Sequence, residues 1–315
     1  MTPLIEARSV YKTFAGRGAF PARALQGVSL SLTAGESTGL VGETGSGKST
    51  LGKVMLGLLA PDHGDVLAGG RPLSALHGRE LADFRRRFQM VFQQTQGSLN
   101  PYFSVEEILR EPLAVHRIPS AEHARRVGEA LASVHLLPEI LSKKPRQLSG
   151  GQRQRLAIAR SLILQPSMVV LDEPVSGLDL SVQAQLLEML AGLQERMRLT
   201  YLLISHDLDV VARLCARIAV LVAGRIVESG PAGDVLSAPL HPYTKRLLAA
   251  RLPDAPRDGE EGNAESEPAR GEPPEAGCPF LPGCPERGED CAAEAPPWVE
   301  AQNGHGAACV RLRKP

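Results

Sequence analysis

The octet Gly42-Glu-Thr-Gly-Ser-Gly-Lys-Ser49 places glycines, a lysine and a hydroxyl at the spacing G-x-x-x-x-G-K-[ST]. Such a loop turns successive backbone N–H groups inward onto phosphate oxygens, and a helix starting there adds the partial positive charge of its N-terminus. Gly42, Gly45, Ser46, Gly47 and Thr50 belong to this cradle; Lys48 can reach the β- and γ-phosphates, and the Ser49 hydroxyl suits a Mg²⁺ shell. A second run, Met168-Val-Val-Leu-Asp-Glu173, reads as a buried strand ending on two adjacent carboxylates. Asp172 suits the same Mg²⁺, directly or through water, and Glu173 is placed to orient and deprotonate a water for attack on a γ-phosphate. An Asp-Glu pair alone is usually a solvated strand end; the phosphate loop gives this one its meaning. The chemistry these residues fit is hydrolysis of a nucleoside triphosphate.

That chemistry needs strands that stop where the polar residues begin. STGLV, MVVLD and TYLLIS are short apolar runs, each followed by a polar or glycine-rich segment. KSTLGKVMLGLL, VQAQLLEMLAGLQERM and LDVVARLC carry apolar residues at three- and four-residue spacing. Strands alternating with helices predict an α/β fold with a mainly parallel sheet covered by helices, and ligands bound beyond the carboxyl ends of its strands.

The bulk numbers narrow the class. The chain has 315 residues and is 43% hydrophobic, ample for a core. Thirty-five basic residues balance thirty-five acidic ones, which argues against a nucleic-acid binder driven by phosphate neutralisation. The N-terminal MTPLIEARSVYKTF lacks the pattern of a signal peptide, and no apolar stretch approaches the ~18 residues that span a bilayer. The expectation is a soluble, cytoplasmic protein. From Asp254 to Gly277 eight acidic residues face two arginines with almost no large apolar side chains, which predicts a flexible acidic linker over 253–277. It separates a large domain, 1–252, from a tail, 278–315. The large domain is left mildly basic, which suits an anionic membrane surface, although ordinary surface charge accounts for it equally.

With Leu148-Ser-Gly-Gly-Gln-Arg-Gln-Arg155, the motifs above resemble the nucleotide-binding subunits of ATP-binding cassette (ABC) transporters over residues 1 to about 250. The resemblance implies a P-loop ABC cassette with a mixed sheet core and a helical subdomain at about 94–150 that grips membrane subunits. It implies that Phe14 stacks on adenine, with Tyr11 close by in sequence as the other choice. It implies that Gln93 touches Mg²⁺ and the attacking water, that Asp179 lies in the loop communicating across a dimer, and that His206 contacts the γ-phosphate. Ser149, Gly150, Gly151 and Gln152 then close over ATP held by the opposite subunit, as another anion-binding helix start. EPVSGLD and SLNPY depart from the commonest family wording at Val175, Gly177 and Tyr102, none of them a catalytic group.

FQQTQGSLNP, the run APLHPYTKRLLAA and the cysteine tail resemble the ATPases of oligopeptide, dipeptide and nickel importers. This implies a second ABC ATPase, as a heterodimer or a second copy, two transmembrane permeases and an extracytoplasmic solute-binding protein, with this chain peripheral on the cytoplasmic face of the inner membrane. Peptide import is the leading function; nickel import, a soluble cassette acting on ribosomes or DNA, and a cassette that binds ATP without turnover are the alternatives. Cys278, Cys284, Cys291 and Cys309 have the look of metal ligands, and a reducing compartment favours metal binding over disulfides. In the resembling importers such a tail is associated with a [4Fe–4S] cluster; Zn²⁺ suits four thiolates as well. The tail is then a separate, metal-organised appendage. Cys215, in VVARLCARIAV, reads as a buried core thiol.

Overall fold

A computed structural model describes residues 2–15, 21–93, 95–250 and 276–312. The chain opens with a long hairpin, β1 (Ile5–Phe14) and β2 (Ala22–Leu32), then enters the core with β3 (Ser37–Val41) and the helix α1 (Lys48–Met55). β4 (His63–Ala68) and β5 (Arg71–Pro72) precede α2 (Gly78–Arg87) and β6 (Phe88–Val91). Three helices follow, α3 (Thr95–Ser98), α4 (Val105–Val115) and α5 (Ser120–Ser133), and then α6 (Gly150–Leu162) leads back to β7 (Met168–Asp172). α7 (Leu180–Met197), β8 (Thr200–Ser205), α8 (Leu208–Leu214), β9 (Arg217–Val222) and β10 (Arg225–Pro231) complete the large sheet's centre. α9 (Ala232–Ser237) and α10 (Pro242–Ala249) end the first region; the tail adds α11 (Asp290–Ala293), β11 (Trp298–Glu300) and β12 (Gly306–Ala308).

Among the described residues, two sheets form. One is antiparallel, in the order β2-β1-β4-β5; the other runs β11-β12-β10-β9-β3-β8-β7-β6, parallel from β9 to β6. The parallel strands β3, β7 and β8 are buried along their whole length, because both faces of the sheet are covered. Their side chains alternate between two cores. Met168, Val170, Leu202 and Ile204 face the antiparallel sheet, whereas Val169, Leu171, Tyr201 and Leu203 face the helical side. This period-two division fixes the register, since a one-residue slip would exchange the two faces. Cys215 is buried as expected, in the helical-side core, and burial pushes its thiol up from the usual range.

Helices α4 and α6 start on identifiable caps. Ser104 with Glu107, and Ser149 with Gln152, form reciprocal capping boxes. No helix among the described residues is long and apolar enough to cross a membrane.

The tail differs from the expectation of a separate appendage. β12 pairs antiparallel with β10, Glu228 opposite Ala307 and Ser229 opposite Gly306, so its described part continues the large sheet. Cys278, Phe280 and Cys291 belong to the same buried cluster as the helical-side core. Glu228 is fully buried, and its carboxylate accepts hydrogen bonds from the backbone N–H of Leu240 (2.8 Å) and His241 (2.9 Å) and meets His305 Nε2 at 2.8 Å. Backbone pairing and one buried carboxylate therefore dock the tail before any metal is considered. Of the acidic segment at 253–277, residues up to 275 lie outside the described ones.

Candidate nucleotide site and cysteine chamber

The phosphate loop joins β3 to α1, and its glycines are there for different reasons. Gly47 caps α1 with φ 106°, and a Cβ on it would run into the carbonyl of Ala24. Gly45, at φ 83°, has nothing within 4 Å of where a Cβ would stand, leaving an open face at the loop's centre. Lys48 is buried; its Nζ donates to the carbonyls of Gly42 (2.7 Å) and Glu43 (2.8 Å). Burial lowers the Lys48 ammonium from its usual range, with Glu173, Asp172 and Glu43 opposing. The Ser46 hydroxyl is buried and lacks a hydrogen-bond partner, an orphan that a bound anion's oxygen would satisfy. Thr50 lies in the first turn of α1.

Ser49 Oγ donates to Asp172 Oδ1 at 2.9 Å, joining the start of α1 to the end of β7. Burial pushes the Asp172 carboxyl above the ordinary aspartate range, against the Ser49 hydrogen bond, while the Glu173 charge adds to the rise. The folded chain thus favours the neutral acid: stability is complete below the unfolded-state value and falls as pH rises through the raised one. Without Mg²⁺ at neutral pH, the Asp172→Asn substitution is therefore expected to raise the unfolding midpoint. The protection that Mg²⁺-ATP gives the native chain should be lost in the same variant. Thermal unfolding with and without Mg²⁺-ATP measures both, and a lowered metal-free midpoint would contradict the burial argument.

Glu173 occupies the left-handed region, φ 50°, a conformation costing a non-glycine residue about 1 kcal/mol or more. Its N–H is tied to the carbonyl of Ile204 at 2.9 Å, and its Oε1 meets His206 Nδ1 at 2.8 Å. Gln93 shares a cavity of about 480 Å³ with Ser49, Lys53, Phe92 and Asp172. The residues that sequence spacing scattered from 42 to 206 are thereby gathered at the carboxyl ends of β3, β7 and β8.

The remaining motif residues stand apart. Ser149 is exposed at the start of α6, and Gly150 and Gly151 pack toward Leu178 and Val182. Asp179 caps α7, accepting from Val182 N–H (2.9 Å) and Ser181 Oγ (2.7 Å), bonds that hold its carboxyl below the usual range. Phe14 is 40% exposed at the end of the hairpin, opposite Ala22 and so near the Ala24 carbonyl that abuts Gly47. Tyr11 is engaged elsewhere: its hydroxyl lies over Gly27 and its ring meets His63 edge-on at 6.3 Å.

The four tail cysteines line one small cavity, of about 10 Å³, together with His241. Burial raises the thiols of Cys278 (to about 11), Cys284 and Cys309, opposed by hydrogen bonds from the backbone N–H of Phe280, Glu286 and Arg311 respectively. A cation among them would reverse that balance and favour thiolates. His241 is buried, Nδ1 accepts the Tyr243 N–H at 3.1 Å, and Nε2 stands 4.0 Å from Cys278 Sγ. Burial, with help from Lys245, lowers His241 to about 4, so the ring is neutral with its proton assigned to Nε2, facing the sulfur. Among the described residues, no group of three or more His, Cys, Asp or Glu side chains is arranged to hold one metal ion. The donor set suits a thiolate-ligated group chemically; the cavity, with room for about one water, has to widen to take it.

A sheet that delivers a phosphate loop, a strand-end aspartate bonded to the loop serine and a following glutamate to one edge, beside a layer of helices, defines an ABC nucleotide-binding cassette, and the chain belongs to that family. The family profile described as ABC transporter matches residues 25–176, and that described as oligopeptide/dipeptide transporter, C-terminal region, matches 227–291. The chain is 41% identical to a Brucella ovis protein named for peptide import, over 98% of each. It is 38% identical to the oligopeptide transport ATP-binding protein OppF of Haemophilus influenzae, over 92% of this chain and 89% of the other. Among solved structures, a dimeric post-hydrolysis ATP-binding cassette with ADP and Pi is 31% identical, with TM-score 0.66 over 72% of this chain and 98% of that one. The cbiO1 subunit from Clostridium perfringens is 27% identical, with TM-score 0.67 over 80% and 97%. The chain is an ABC ATPase. Sequence reasoning passed over Glu228, His305 and Tyr243; the HPYT run was the only trace of the last.

Proposed function

We propose that this chain is the ATP-hydrolysing subunit of a di- and oligopeptide importer, peripheral on the cytoplasmic face of the inner membrane. The observation that carries the reading is the convergence of Lys48, Ser49, Asp172, Glu173 and His206 in a chain whose 227–291 segment matches the peptide-transporter C-terminal region. Lys48 leaves the loop carbonyls for the β- and γ-phosphates. Ser49, Asp172 and Gln93, which line one cavity, would hold Mg²⁺, whose charge would offset that developing on the phosphates. Glu173 takes a proton from the attacking water as the bond to the β–γ bridging oxygen breaks, and His206 steadies Glu173 beside the γ-phosphate. Phe14 covers the adenine. Ser149 to Gln152 and Asp179, exposed or half-buried on one chain, are supplied to the ATP of a second cassette, so closure of the pair follows γ-phosphate binding. Two permeases and an extracytoplasmic binding protein complete the machine. The test is ATPase activity of the purified complex with its permeases and binding protein: stimulation by peptides is expected, and stimulation by Ni²⁺ alone would replace this reading.

For the tail, Cys278, Cys284, Cys291 and Cys309 are proposed to hold a [4Fe–4S] cluster. The support is four thiols on one cavity, three of them already served by backbone N–H donors. Bound there, a cluster would cross-link four points of the tail. Anaerobically purified protein is expected to contain about four iron and four sulfide per chain, with visible absorbance. Zinc in place of iron, or no metal, would overturn the assignment.

A further inference from the structure

The helix α10 touches both the phosphate loop and the cysteine chamber. On one side, Glu43, the second residue of the loop, donates its N–H to Tyr243 Oη at 3.0 Å. The Glu43 carboxylate meets Arg246 Nη2 at 2.7 Å, and its carbonyl is the acceptor for Lys48 at 2.8 Å. A single residue of the loop is thus held through its N–H, its carbonyl and its side chain. On the other side, the Tyr243 ring, 2% exposed, meets Phe280 edge-on at 5.2 Å, and the Arg246 guanidinium lies 4.9 Å over the same ring. Phe280 follows Cys278 by two residues and gives its N–H to that thiol. Both residues that grip Glu43 therefore rest on Phe280, two residues along the chain from a thiol that lines the chamber. Ordinary packing of a terminal helix would explain the apolar contacts. It does not explain why the buried hydroxyl and the guanidinium of that helix both converge on Glu43.

We propose that Tyr243 and Arg246 are positioning residues of the phosphate loop, through which the state of the cysteine chamber sets nucleotide affinity. The chamber has room for about one water, so anything larger displaces Cys278 and, through the N–H bond to that thiol, Phe280. A shift of Phe280 moves the ring on which Tyr243 leans, and the hydroxyl carries that shift to the Glu43 peptide. The loop's N–H groups must point inward together to hold phosphates, so a small rotation of this peptide changes affinity. The inference rests on the loop being the nucleotide site and needs only a displacement of Cys278, not the identity of the chamber's contents. Iron analysis could fail while this holds.

The test uses the full chain and equilibrium binding of a fluorescent ATP analogue with Mg²⁺. Tyr243→Phe keeps the packing and removes one hydrogen bond, so affinity should weaken about three- to tenfold. In the assembled transporter, KM for ATP should rise by the same factor with kcat within about twofold, a split that mere loss of folded protein would not give. Phe280→Leu should weaken binding too, and the double variant should bind no more weakly than Tyr243→Phe alone. Cys278→Ser provides the same comparison in case Phe280→Leu does not fold. Native affinity in Tyr243→Phe would overturn the positioning role. Additive losses in the double variant would overturn the coupling.

Discussion

Replacing Glu173 by glutamine is expected to reduce ATP turnover by about 10²–10⁴-fold while nucleotide binding persists. The substitution keeps the size of the side chain and its ability to accept from His206, 2.8 Å away, but removes the group that can take a proton from water. Binding should survive because the cradle is built from the phosphate-loop backbone, Lys48 and Ser49, with Asp172 as the metal-side carboxylate. Glu173 stands in the left-handed region directly after β7, and the hydrogen bond from its N–H to the Ile204 carbonyl holds the backbone there. Turnover should be measured in the assembled transporter with the change in this chain alone, beside a binding assay. Unchanged turnover would mean that this chain binds ATP in a regulatory role and that the partner cassette hydrolyses.

A second large effect is expected at Glu228, far from the chemistry. Truncation by Glu228→Ala leaves the N–H groups of Leu240 and His241 and the ring of His305 without their shared acceptor in a fully buried position. Leaving a buried donor unsatisfied costs about 1–3 kcal/mol, and this truncation orphans more than one. Much of that loss should appear as detachment of the tail, since β12 adds to β10 through only two paired residues, Glu228 and Ser229. Chemical denaturation should show the lowered stability, and limited proteolysis should cut within 278–312 under conditions where the native chain resists. Glu228→Gln should recover part of the loss, because its amide oxygen still accepts backbone N–H. Native stability in Glu228→Ala would show that the tail is held by other means.

The candidate nucleotide site was largely legible because its parts are local. A phosphate loop is a contiguous octet whose backbone shape follows from its glycines, and the strand before it and helix after it announce themselves by periodicity. Asp172 and Glu173 end an unbroken apolar run, so their place at a strand's end could be read directly. Gln93, His206 and Asp179 carried meaning only through order and resemblance; alone, each is an ordinary polar residue. Between Phe14 and Tyr11 the strand pattern does not discriminate, because both lie on β1; the fold adds that Tyr11 has neighbours in Gly27 and His63.

The tail was read as an independent unit because its composition is rich in proline and poor in core residues, and its acidic approach looks like a tether. Gly306-Ala-Ala308 has no alternation that marks a strand, yet it pairs with β10 because an edge with unpaired backbone groups accepts almost any extended segment. Glu228 in RIVESGP looks like an exposed strand glutamate until the fold brings His305, seventy-seven residues away, against it.

By itself, then, the sequence determined the class of chemistry: a phosphate-loop octet and an aspartate and glutamate ending a buried strand, each set by a few neighbouring residues and the backbone they impose. Only the tertiary structure decided how the ends of the chain answer one another. Tyr243 reaches Glu43 across two hundred residues, Arg246 joins it there, and both lean on Phe280 beside the thiols. Such contacts depend on the sheet order that brings β10 and α10 alongside the phosphate loop, and no local pattern encodes that.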